Sequence, residues 1–372
     1  MEGLDYSRPL SLYIHVPFCE RKCDYCAFYS VPYCRYEEKT ERYIDMLLGE
    51  IDALNRDYKK AYKTIFIGGG NPGILGVENL RRILLKASEN GMAEETTIEI
   101  NPENLDESIL SLGNLITRIS IGIQSMSDKS LRILGRNSDR ENNLRALSLL
   151  SSSPYRWNAD IITAIPGTSP EDTLSDIEEI ASYNPGHISF YCLTFEENTP
   201  LVKRIKPLDS DTEADFLEKG WEKLRSLGYE HYEVSNFAKK GARCRHNEVY
   251  WHLGQYVGFG PGAESSVGYE RIISMRDSET VDEYLKRPVM TCSRLSKEES
   301  EEEFMLVSLR TSDGIDKNEF GKRFSHSFDF RYGDAVKTMN EEFYIDDNEH
   351  FALTEKGFMM LDWVILHLVA GI

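Results

Sequence analysis

The chain has 372 residues, of which 41% are hydrophobic and 28% charged, so it is long enough for one large domain with additions or for two domains. Its 43 Lys and Arg against 62 Asp and Glu give a formal net charge of -19, which argues against binding to a phosphate backbone. No stretch approaches the roughly 18 to 20 apolar residues that cross a bilayer, and residues 1–10 lack the basic start and apolar run of a signal peptide. We therefore expect a cytoplasmic protein with no transmembrane segment and no nucleic-acid partner.

The first half of the chain alternates between predicted strands and predicted helices. The strand candidates are, in order, LSLYIHV, KTIFIGGG, TTIEINPEN, TRISIGIQS, WNADIITAIPG and HISFYCLTF. Helical stretches follow them, the first beginning near Tyr36 and the second near Val77. Near-continuous apolar strands separated by amphipathic helices predict a parallel sheet covered by helices. Six such strands fit either an incomplete (β/α) barrel or an open doubly wound sheet.

The second half has a different pattern. After the amphipathic helix DTEADFLEKGWEKLRSLGY, the stretch from Tyr229 to Asp277 is rich in Gly and aromatic residues, which predicts strands with irregular loops. From about Lys297 the segments EEFMLVSLRT and DKNEFGKRF predict two helices, followed by a hairpin that turns at DDNE and a final helix. This order predicts a small winged-helix-like module, whose acidity argues against DNA binding.

Three cysteines form the most specific motif of the sequence. Cys19, Cys23 and Cys26 have the spacing CxxxCxxC, and the odd total of seven cysteines argues against a disulfide framework. A structural zinc site usually has four ligands, and there is no second CxxC pair. Three thiolates on an iron–sulfur cube leave one iron open to a small molecule. The motif also follows the first strand, at the end of the strands where barrel active sites are built. The alternative, that the three cysteines are simply buried thiols without a ligand, is less favoured.

This motif resembles that of the radical S-adenosylmethionine (SAM) superfamily. YIHVPFCERKCDYCAF, IFIGGGNPGIL, IEINPEN, RISIGIQS, LGR and HNEVYW resemble, in the same order, the oxygen-independent coproporphyrinogen III oxidase (HemN)-like family and its haem chaperone branch, HemW. The resemblance covers essentially the whole chain. It implies a [4Fe-4S] cluster on Cys19, Cys23 and Cys26, SAM at the open iron, and a low-potential electron donor.

The resemblance also implies a fold and its division into parts. The fold is an incomplete (β/α)6 TIM-type barrel with a small C-terminal winged-helix-like α+β module. We expect a partial barrel with the cluster and SAM site over residues 1–200. A barrel extension with the HNxxYW motif is expected over 201–295, and the C-terminal module over 296–372.

Nine residues match SAM-binding positions of the family. They are Tyr13, Phe28, Gly69, Gly70, Asn71, Glu99, Gln124, Arg136 and Asp160. If the resemblance is set aside, the simpler interpretation of GGGNPG is a tight turn. The simpler interpretation of Arg136 is a solvated charge at a helix end. Asp160 lies within an apolar strand, where a lone carboxylate costs several kcal/mol unless it is paired, so a turn residue explains it poorly.

Three features favour the chaperone branch over the oxidases. Phe28 stands where the oxidases of this family carry a further cysteine, and Cys19 leaves little room for their N-terminal extension. The HNxxYW pattern that is associated with haem in the chaperones supplies the haem-binding candidates His246, Asn247, Tyr250 and Trp251. A neutral histidine nitrogen is a good iron ligand, and aromatic rings pack on a porphyrin face. The alternative is that the two aromatic residues are core residues and His246 a satisfied turn residue.

Three positions depart from the family pattern. Asn71 replaces a threonine, Ala164 a glycine, and Glu264 a histidine of the haem or substrate side. Three functions therefore stay open. The first is a chaperone that binds the cluster, SAM and haem and delivers haem to respiratory proteins. The second is a radical SAM oxidoreductase, either an oxygen-independent coproporphyrinogen III oxidase that decarboxylates a porphyrinogen or another tetrapyrrole-modifying enzyme. The third is a cluster protein with neither activity.

Overall fold

The computed structural model describes residues 4–274, 281–286 and 290–370, so the last residues of the stretch from Tyr229 to Asp277 lie outside the described residues. The strands of the N-terminal half are β1 Ser11–Val16, β2 Phe18–Cys19, β3 Val31–Pro32, β4 Thr64–Gly69, β5 Glu95–Ile100, β6 Arg118–Gln124, β7 Arg156–Thr163 and β8 His187–Cys192. Those that follow are β9 Glu230–Glu233, β10 Asn236–Ala238, β11 Tyr256–Phe259, β12 Glu264–Val267, β13 Glu270–Ser274 and β14 Met290–Arg294. Twelve of these strands form one sheet in the order β14-β13-β12-β11-β1-β4-β5-β6-β7-β8-β10-β9, and β2 and β3 pair separately from it.

The order of the parallel strands identifies the fold type. β1, β4, β5, β6, β7 and β8 lie side by side in chain order, and each neighbouring pair is parallel. A doubly wound sheet reverses its order at a switch point, whereas a (β/α) barrel runs in one direction. β11 adds a seventh parallel strand beside β1, and no pairing joins the edge strands β14 and β9 in the part of the chain that the structure describes. The predicted incomplete barrel is confirmed.

Helices cover the outer face of the sheet. Those of the barrel are α1 Thr40–Asp57, α2 Gly76–Ala87, α3 Glu107–Leu110, α4 Asp128–Leu134, α5 Arg140–Ser151, α6 Pro170–Ser182, α7 Ser210–Ser226, α8 Arg245–Trp251 and α9 Val281–Lys286. Helix α2 shows why they pack there: Leu80, Ile83, Leu84 and Ala87 recur at helical spacing and are all buried. The first two helices begin within four residues of the predicted starts.

The strands of the predicted parallel sheet are almost continuously buried, but apolar and polar side chains alternate along part of their length. In β6 the residues Ile119, Ile121 and Ile123 are fully buried in the core with the helices. Arg118 and Ser120 alternate with them and line a cavity inside the barrel. Because successive side chains of a strand point to opposite faces, one face of the sheet is apolar and the other largely polar.

The second half contains a helix where strands and loops were predicted. Helix α8 carries the HNxxYW motif, and His246 lies in its first turn rather than in a turn between strands. It packs against the start of β4, since His246 Nδ1 lies 2.7 Å from Thr64 Oγ1. Parallel strands share one direction, so α8 covers the N-terminal end of the barrel.

The C-terminal segment forms the predicted winged-helix-like arrangement with two further helices, one before the hairpin and one because the predicted final helix is divided in two. Its elements are α10 Lys297–Ser308, β15 Ile315–Asp316, α11 Lys317–Phe324, α12 Phe328–Val336, β16 Tyr344–Asp346, β17 His350–Leu353, α13 Glu355–Met359 and α14 Leu361–Ala370. The hairpin of β16 and β17 turns at residues 347–349, as DDNE predicts. Two backbone hydrogen bonds, Val234 N to Arg310 O and Ser312 N to Tyr232 O, join this segment to the barrel extension. The three-part division itself stays a prediction. Among the described residues, no helix is both long and apolar enough to cross a bilayer.

Candidate functional site

The three motif cysteines follow β1 at the C-terminal end of the barrel, where Cys19 ends the short strand β2 and Cys23 and Cys26 lie on the loop after it. All three are free and half-buried. Asp24, between them, donates its backbone N–H to Leu134 O at 3.0 Å and accepts at its own carbonyl from Leu201 N at 2.8 Å. Its carboxylate pairs with Arg204. A Cβ on Gly135 would lie 2.6 Å from the Asp24 carboxyl carbon, so glycine is required there for the loop to pack. The loop is therefore held in a fixed place on the barrel.

Arg136 connects the cysteine loop to the barrel. Its guanidinium donates to Gly122 O at 2.7 Å and to Asn101 Oδ1 at 3.2 Å, and it lies 3.7 Å from Cys23 Sγ. A buried cation beside a thiol favours the thiolate, which is the form that binds iron. Without iron, burial raises the pKa of the Cys19 thiol to about 11, a rise that the charge of the nearby Arg136 opposes. Arg136 is thus a positioning residue rather than a solvated charge at a helix end.

The donor set fits an iron–sulfur cluster better than a single ion. Among residues 4–274, 281–286 and 290–370, no three His, Cys, Asp or Glu side chains converge closely enough to hold one metal ion. In a cube each thiolate binds a different iron, so the sulfur atoms need not converge on one point. Three free thiols on one anchored loop beside an arginine agree with the predicted cluster ligands Cys19, Cys23 and Cys26.

The Gly-rich turn after β4 packs on the cysteine loop. Gly70 N donates to Val16 O at 2.7 Å, and a Cβ on Gly70 would lie 2.5 Å from Phe18 O. Gly69 has φ +109° and donates its N–H to Glu99 Oε2 at 3.1 Å. The glycines therefore have a packing role of their own, and they connect the loop to a predicted SAM residue.

Asn71 and Gln124 differ in how completely their amides are paired. The buried Asn71 amide donates to Asn104 Oδ1 at 2.5 Å and accepts from Asn101 N at 3.3 Å, so it joins the turns that follow β4 and β5. Gln124 has φ +66°, and its Oε1 is buried without a partner among the described residues. Arg136 Nε is a second such atom. Strained backbone and unpaired buried polar atoms are typical of a site that a ligand completes.

A cavity of about 280 Å³ lies inside the barrel. It brings together three predicted SAM residues, Tyr13, Glu99 and Asp160, with three residues of the HNxxYW motif, His246, Asn247 and Tyr250. Its volume is slightly below the roughly 300–1,000 Å³ of sites for drug-sized ligands. The cavity as it stands accepts a small molecule or one arm of a larger one, not a whole haem.

The two carboxyls of the cavity have shifted pKa values. Burial raises the pKa of Glu99 to about 7, and the nearby Asp160 adds to that rise. Burial likewise raises the pKa of Asp160 to about 6, although hydrogen bonds from Ser189 and Ser120 and the charge of Arg118 oppose it. Asn158 Nδ2 donates to Asp160 Oδ1 at 2.8 Å. Asp160 is therefore a paired interior carboxylate, not a turn residue.

His246 is fully buried, and both of its ring nitrogens are engaged. Nδ1 lies 2.7 Å from Thr64 Oγ1, whose own hydroxyl donates to Ser11, so Nδ1 is the donor of that pair. Nε2 then accepts from the Tyr250 hydroxyl at 2.8 Å. Burial lowers the pKa of His246 to about 3, which keeps the ring neutral. For Nε2 to bind iron, the Tyr250 hydroxyl has to move away.

The remaining predicted residues lie outside the cavity. Phe28 is 71% exposed on the cysteine loop, and the Trp251 ring lies under the guanidinium of Arg310 at 5.1 Å. Ala164 has φ +57°, a conformation that favours the glycine expected at this position. Glu264 is exposed, and its charge contributes to the raised pKa of Tyr13, for which burial is the main cause. Glu264 thus lies on the side of the barrel that carries Tyr13.

More than half of the residues that line the cavity were not predicted from the sequence. The missed residues are Phe66, Arg118, Ser120, Asn158, His187, Ser189, Tyr191 and Cys244. A signal was present, because six of them fall at alternate positions of three strands: Arg118 and Ser120, Asn158 beside Asp160, and His187, Ser189 and Tyr191. Polar residues at a period of two within apolar strands mark the inner face of a barrel.

Two family models match the chain. The Radical SAM superfamily matches residues 13–180, and the HemN C-terminal domain matches residues 295–360. The first covers the barrel as far as α6 and the second most of the C-terminal segment.

Three similar curated proteins cover most of the chain. A protein of Lactococcus lactis named "Heme chaperone HemW" is 31% identical over 94% of this chain and 95% of its own length. The Escherichia coli protein of the same name is 38% identical over 70% of this chain and 71% of its own. A mouse protein, "Radical S-adenosyl methionine domain-containing protein 1, mitochondrial", is 31% identical over 82% of this chain and 74% of its own.

Among solved structures, coproporphyrinogen III oxidase (HemN) from Escherichia coli, described as a radical SAM enzyme, matches with a TM-score of 0.81. The match covers 98% of this chain and 91% of that one at 20% sequence identity. At that identity the likeness shows the fold alone.

Proposed function

This chain belongs to the HemW family of the radical SAM superfamily, and from that premise we propose that it is a haem chaperone. Membership of the superfamily implies a [4Fe-4S] cluster and SAM. The proposal adds that the chain binds haem and passes it to respiratory proteins.

The observation that carries the proposal is the residue at position 28. Phe28 is 71% exposed on the cysteine loop, at the position where the oxidases of the family carry a further cysteine. An exposed aromatic ring beside the cluster loop offers a flat apolar surface to a macrocycle such as haem. A phenylalanine has no sulfur and cannot replace a cysteine in metal binding or redox chemistry.

The cluster and SAM would be held by the C-terminal end of the barrel. Cys19, Cys23 and Cys26 would bind three irons of the cluster, which supplies the low-potential electron for SAM cleavage. Arg136 would position the Cys23 thiolate beside the cluster. Gln124 Oε1, which has no partner among the described residues, and the carboxyl of Glu99 would form hydrogen bonds with polar groups of SAM.

The proposal is tested on anaerobically reconstituted full-length protein with SAM and a low-potential reductant. Haem binding is followed by its absorption band, and 5'-deoxyadenosine and decarboxylated porphyrinogen are assayed in the same tubes. Stoichiometric haem binding without decarboxylation is the expected result. Catalytic decarboxylation of coproporphyrinogen would instead identify an oxidase and overturn the proposal.

The position of the haem iron is tested with two variants of the HNxxYW helix. His246→Ala removes both ring nitrogens, whereas Tyr250→Phe removes only the hydroxyl that occupies Nε2. If His246 is the iron ligand, His246→Ala weakens haem binding and Tyr250→Phe preserves or strengthens it. Unchanged haem titrations in both variants would remove the motif from the haem site.

A further inference from the structure

Arg118 is a buried cation that interacts electrostatically with Glu95 and Asp160 but forms no ion pair with either. It is the first residue of β6, is 3% exposed and lines the cavity. Its guanidinium makes no hydrogen bond or ion pair with any other described side chain or carbonyl. A buried cation without a partner is costly, so a group of this kind is normally paired by protein or by ligand.

The strand register places Arg118 at the inner end of the cavity. Ser120 lies beside Glu99 and Asn158, and Asn158 lies beside His187. These residues form one layer of the interior, and Arg118, two residues earlier in β6, lies one layer nearer the N-terminal end that α8 covers. Tyr191, which is 39% exposed, lines the same cavity three layers away from Arg118 and gives it an open side.

The charges around Arg118 favour a ligand with a single negative charge. Burial opposes the positive charge of Arg118, but Cys244, Glu95 and other neighbours still hold its pKa above the usual value. His187 and His246 are kept neutral because burial lowers their pKa values. Arg118 is thus the only fixed cation among the described cavity residues. The carboxyls of Glu99 and Asp160 in the same space disfavour an anion of higher charge.

The shape of the site favours a carboxylate. The planar guanidinium presents a fork of N–H donors that matches the two oxygens of a carboxylate. Asn247 also lines the cavity and adds an amide with no hydrogen bond to another described residue. The volume of about 280 Å³ accepts an acid of a few carbon atoms or the acidic arm of a larger molecule.

We propose that Arg118 forms a carboxylate-binding site inside the barrel, at the end opposite to the cysteine loop. The carboxylate comes from a free short-chain acid or from a propionate arm of a tetrapyrrole whose ring stays outside the cavity. The second source rests on the proposed haem function, and the first does not.

The test uses the full-length protein and propionate as the probe, with propionamide as its uncharged counterpart. Thermal unfolding is measured against propionate concentration at constant ionic strength, because a ligand that binds only the folded state raises the midpoint. The variant is Arg118→Gln, and the matched control is Arg145→Gln, an exposed arginine on α5. We expect propionate to stabilise the wild type and the control, and Arg118→Gln to weaken this binding roughly tenfold or more through the loss of a charge-assisted pair.

Three results would overturn the proposal: an equal shift with propionamide, an unchanged response in Arg118→Gln, or no binding of propionate by the wild type. If Arg118→Gln does not fold, Arg118→Lys keeps the charge without the fork and is expected to bind propionate more weakly than the wild type. Equal binding by the wild type and Arg118→Lys would exclude recognition by the guanidinium.

A second titration distinguishes the two sources. Haem carries propionates, whereas iron octaethylporphyrin carries ethyl groups in their place. If Arg118→Gln weakens the binding of haem but not of iron octaethylporphyrin, the ligand is a propionate arm. If it weakens only propionate, the ligand is a free acid. A wild type that binds propionate but neither porphyrin contradicts the proposed function and leaves the carboxylate site standing.

Discussion

The surroundings of helix α8 and of the cysteine loop, at opposite ends of the barrel, differ in how completely their polar groups are paired. At the N-terminal end, His246 uses both ring nitrogens, and the buried Glu95 accepts from His246 N at 3.3 Å and from Arg156 at 3.2 Å. At the C-terminal end, Gln124 Oε1 and Arg136 Nε have no partner among the described residues, and three thiols are free. Complete pairing stabilises a fold, whereas unpaired groups lose stability unless a ligand binds them. The comparison indicates that the His246 network mainly holds α8 on the barrel, whereas the unpaired groups beside the cysteine loop, like Arg118 inside the barrel, are available to bind ligands.

The largest expected effect breaks the ligand-binding end. Cys23→Ala removes one of three cluster ligands, and we expect essentially complete loss of the cluster absorption after reconstitution while the chain stays folded. Cys34→Ala, an exposed cysteine of the same region, is the control and should retain the cluster. Retention of about four irons per chain by Cys23→Ala would contradict the assignment.

The next effect tests the closed end. His246→Ala leaves Thr64 and Tyr250 without their buried partner, and we expect the free energy of unfolding to fall by about 2–4 kcal/mol. Tyr250→Phe removes only one of these hydrogen bonds and should cost about 1 kcal/mol. Urea denaturation measures both values. If His246→Ala unfolds at the same urea concentration as the wild type, α8 is not held by this network and the contrast between the ends disappears.

A smaller effect concerns the carboxyls between the two ends. Because the folded pKa of Glu99 is raised from 4.5 to about 7, the folded state keeps a proton that the unfolded state loses. Its contribution to stability is therefore present below about pH 4.5 and is lost as the pH rises through 7, on the order of 1–3 kcal/mol. Glu99→Gln should reduce the dependence of the free energy of unfolding on pH around pH 7. The dependence at lower pH, which Asp160 causes, should remain. The free energy of unfolding between pH 5 and 8 checks it, and an unchanged slope would show that Glu99 is ionised throughout.

The smallest effect on stability is expected at the exposed aromatic ring of the open end. Phe28→Ala should change the free energy of unfolding by less than about 0.5 kcal/mol, because the side chain is mostly in solvent. It should nevertheless weaken haem binding severalfold if the ring contacts the macrocycle. Phe330→Ala, at an 84% exposed position of the C-terminal segment, is the matched control and should bind haem as the wild type does. Equal haem affinities of the two variants would remove Phe28 from the haem site.

The sequence predicted the strands and helices of the barrel because their signals are local. Each helix–strand unit carries its own pattern, and the first and sixth strands, Ser11–Val16 and His187–Cys192, lie where their apolar runs predict. The choice between a barrel and a doubly wound sheet depends on which strands pair across long sequence distances. No local pattern contains that information, so the family resemblance had to supply it.

The interior of the barrel was predicted less completely than its outline. Helix α8 was missed because a seven-residue segment with only His246 and Val249 buried has too little periodicity to separate it from a loop. Arg118 was missed because its role depends on what its guanidinium does not contact, which is a property of the folded chain. The cysteine motif was recognised because its chemistry depends on spacing within one loop.

The attachment of the cysteine loop has a consequence for the order of synthesis. Asp24 is hydrogen-bonded to Leu134 and Leu201 and forms an ion pair with Arg204. Leu201 and Arg204 lie far downstream of the loop that they hold. A nascent chain therefore exposes its three thiols on an unsecured loop until the segment around residue 204 has left the ribosome. We therefore expect iron and sulfide to be delivered most productively late in translation or after it, and a fragment that stops at residue 180 to accept the cluster less well than the full chain.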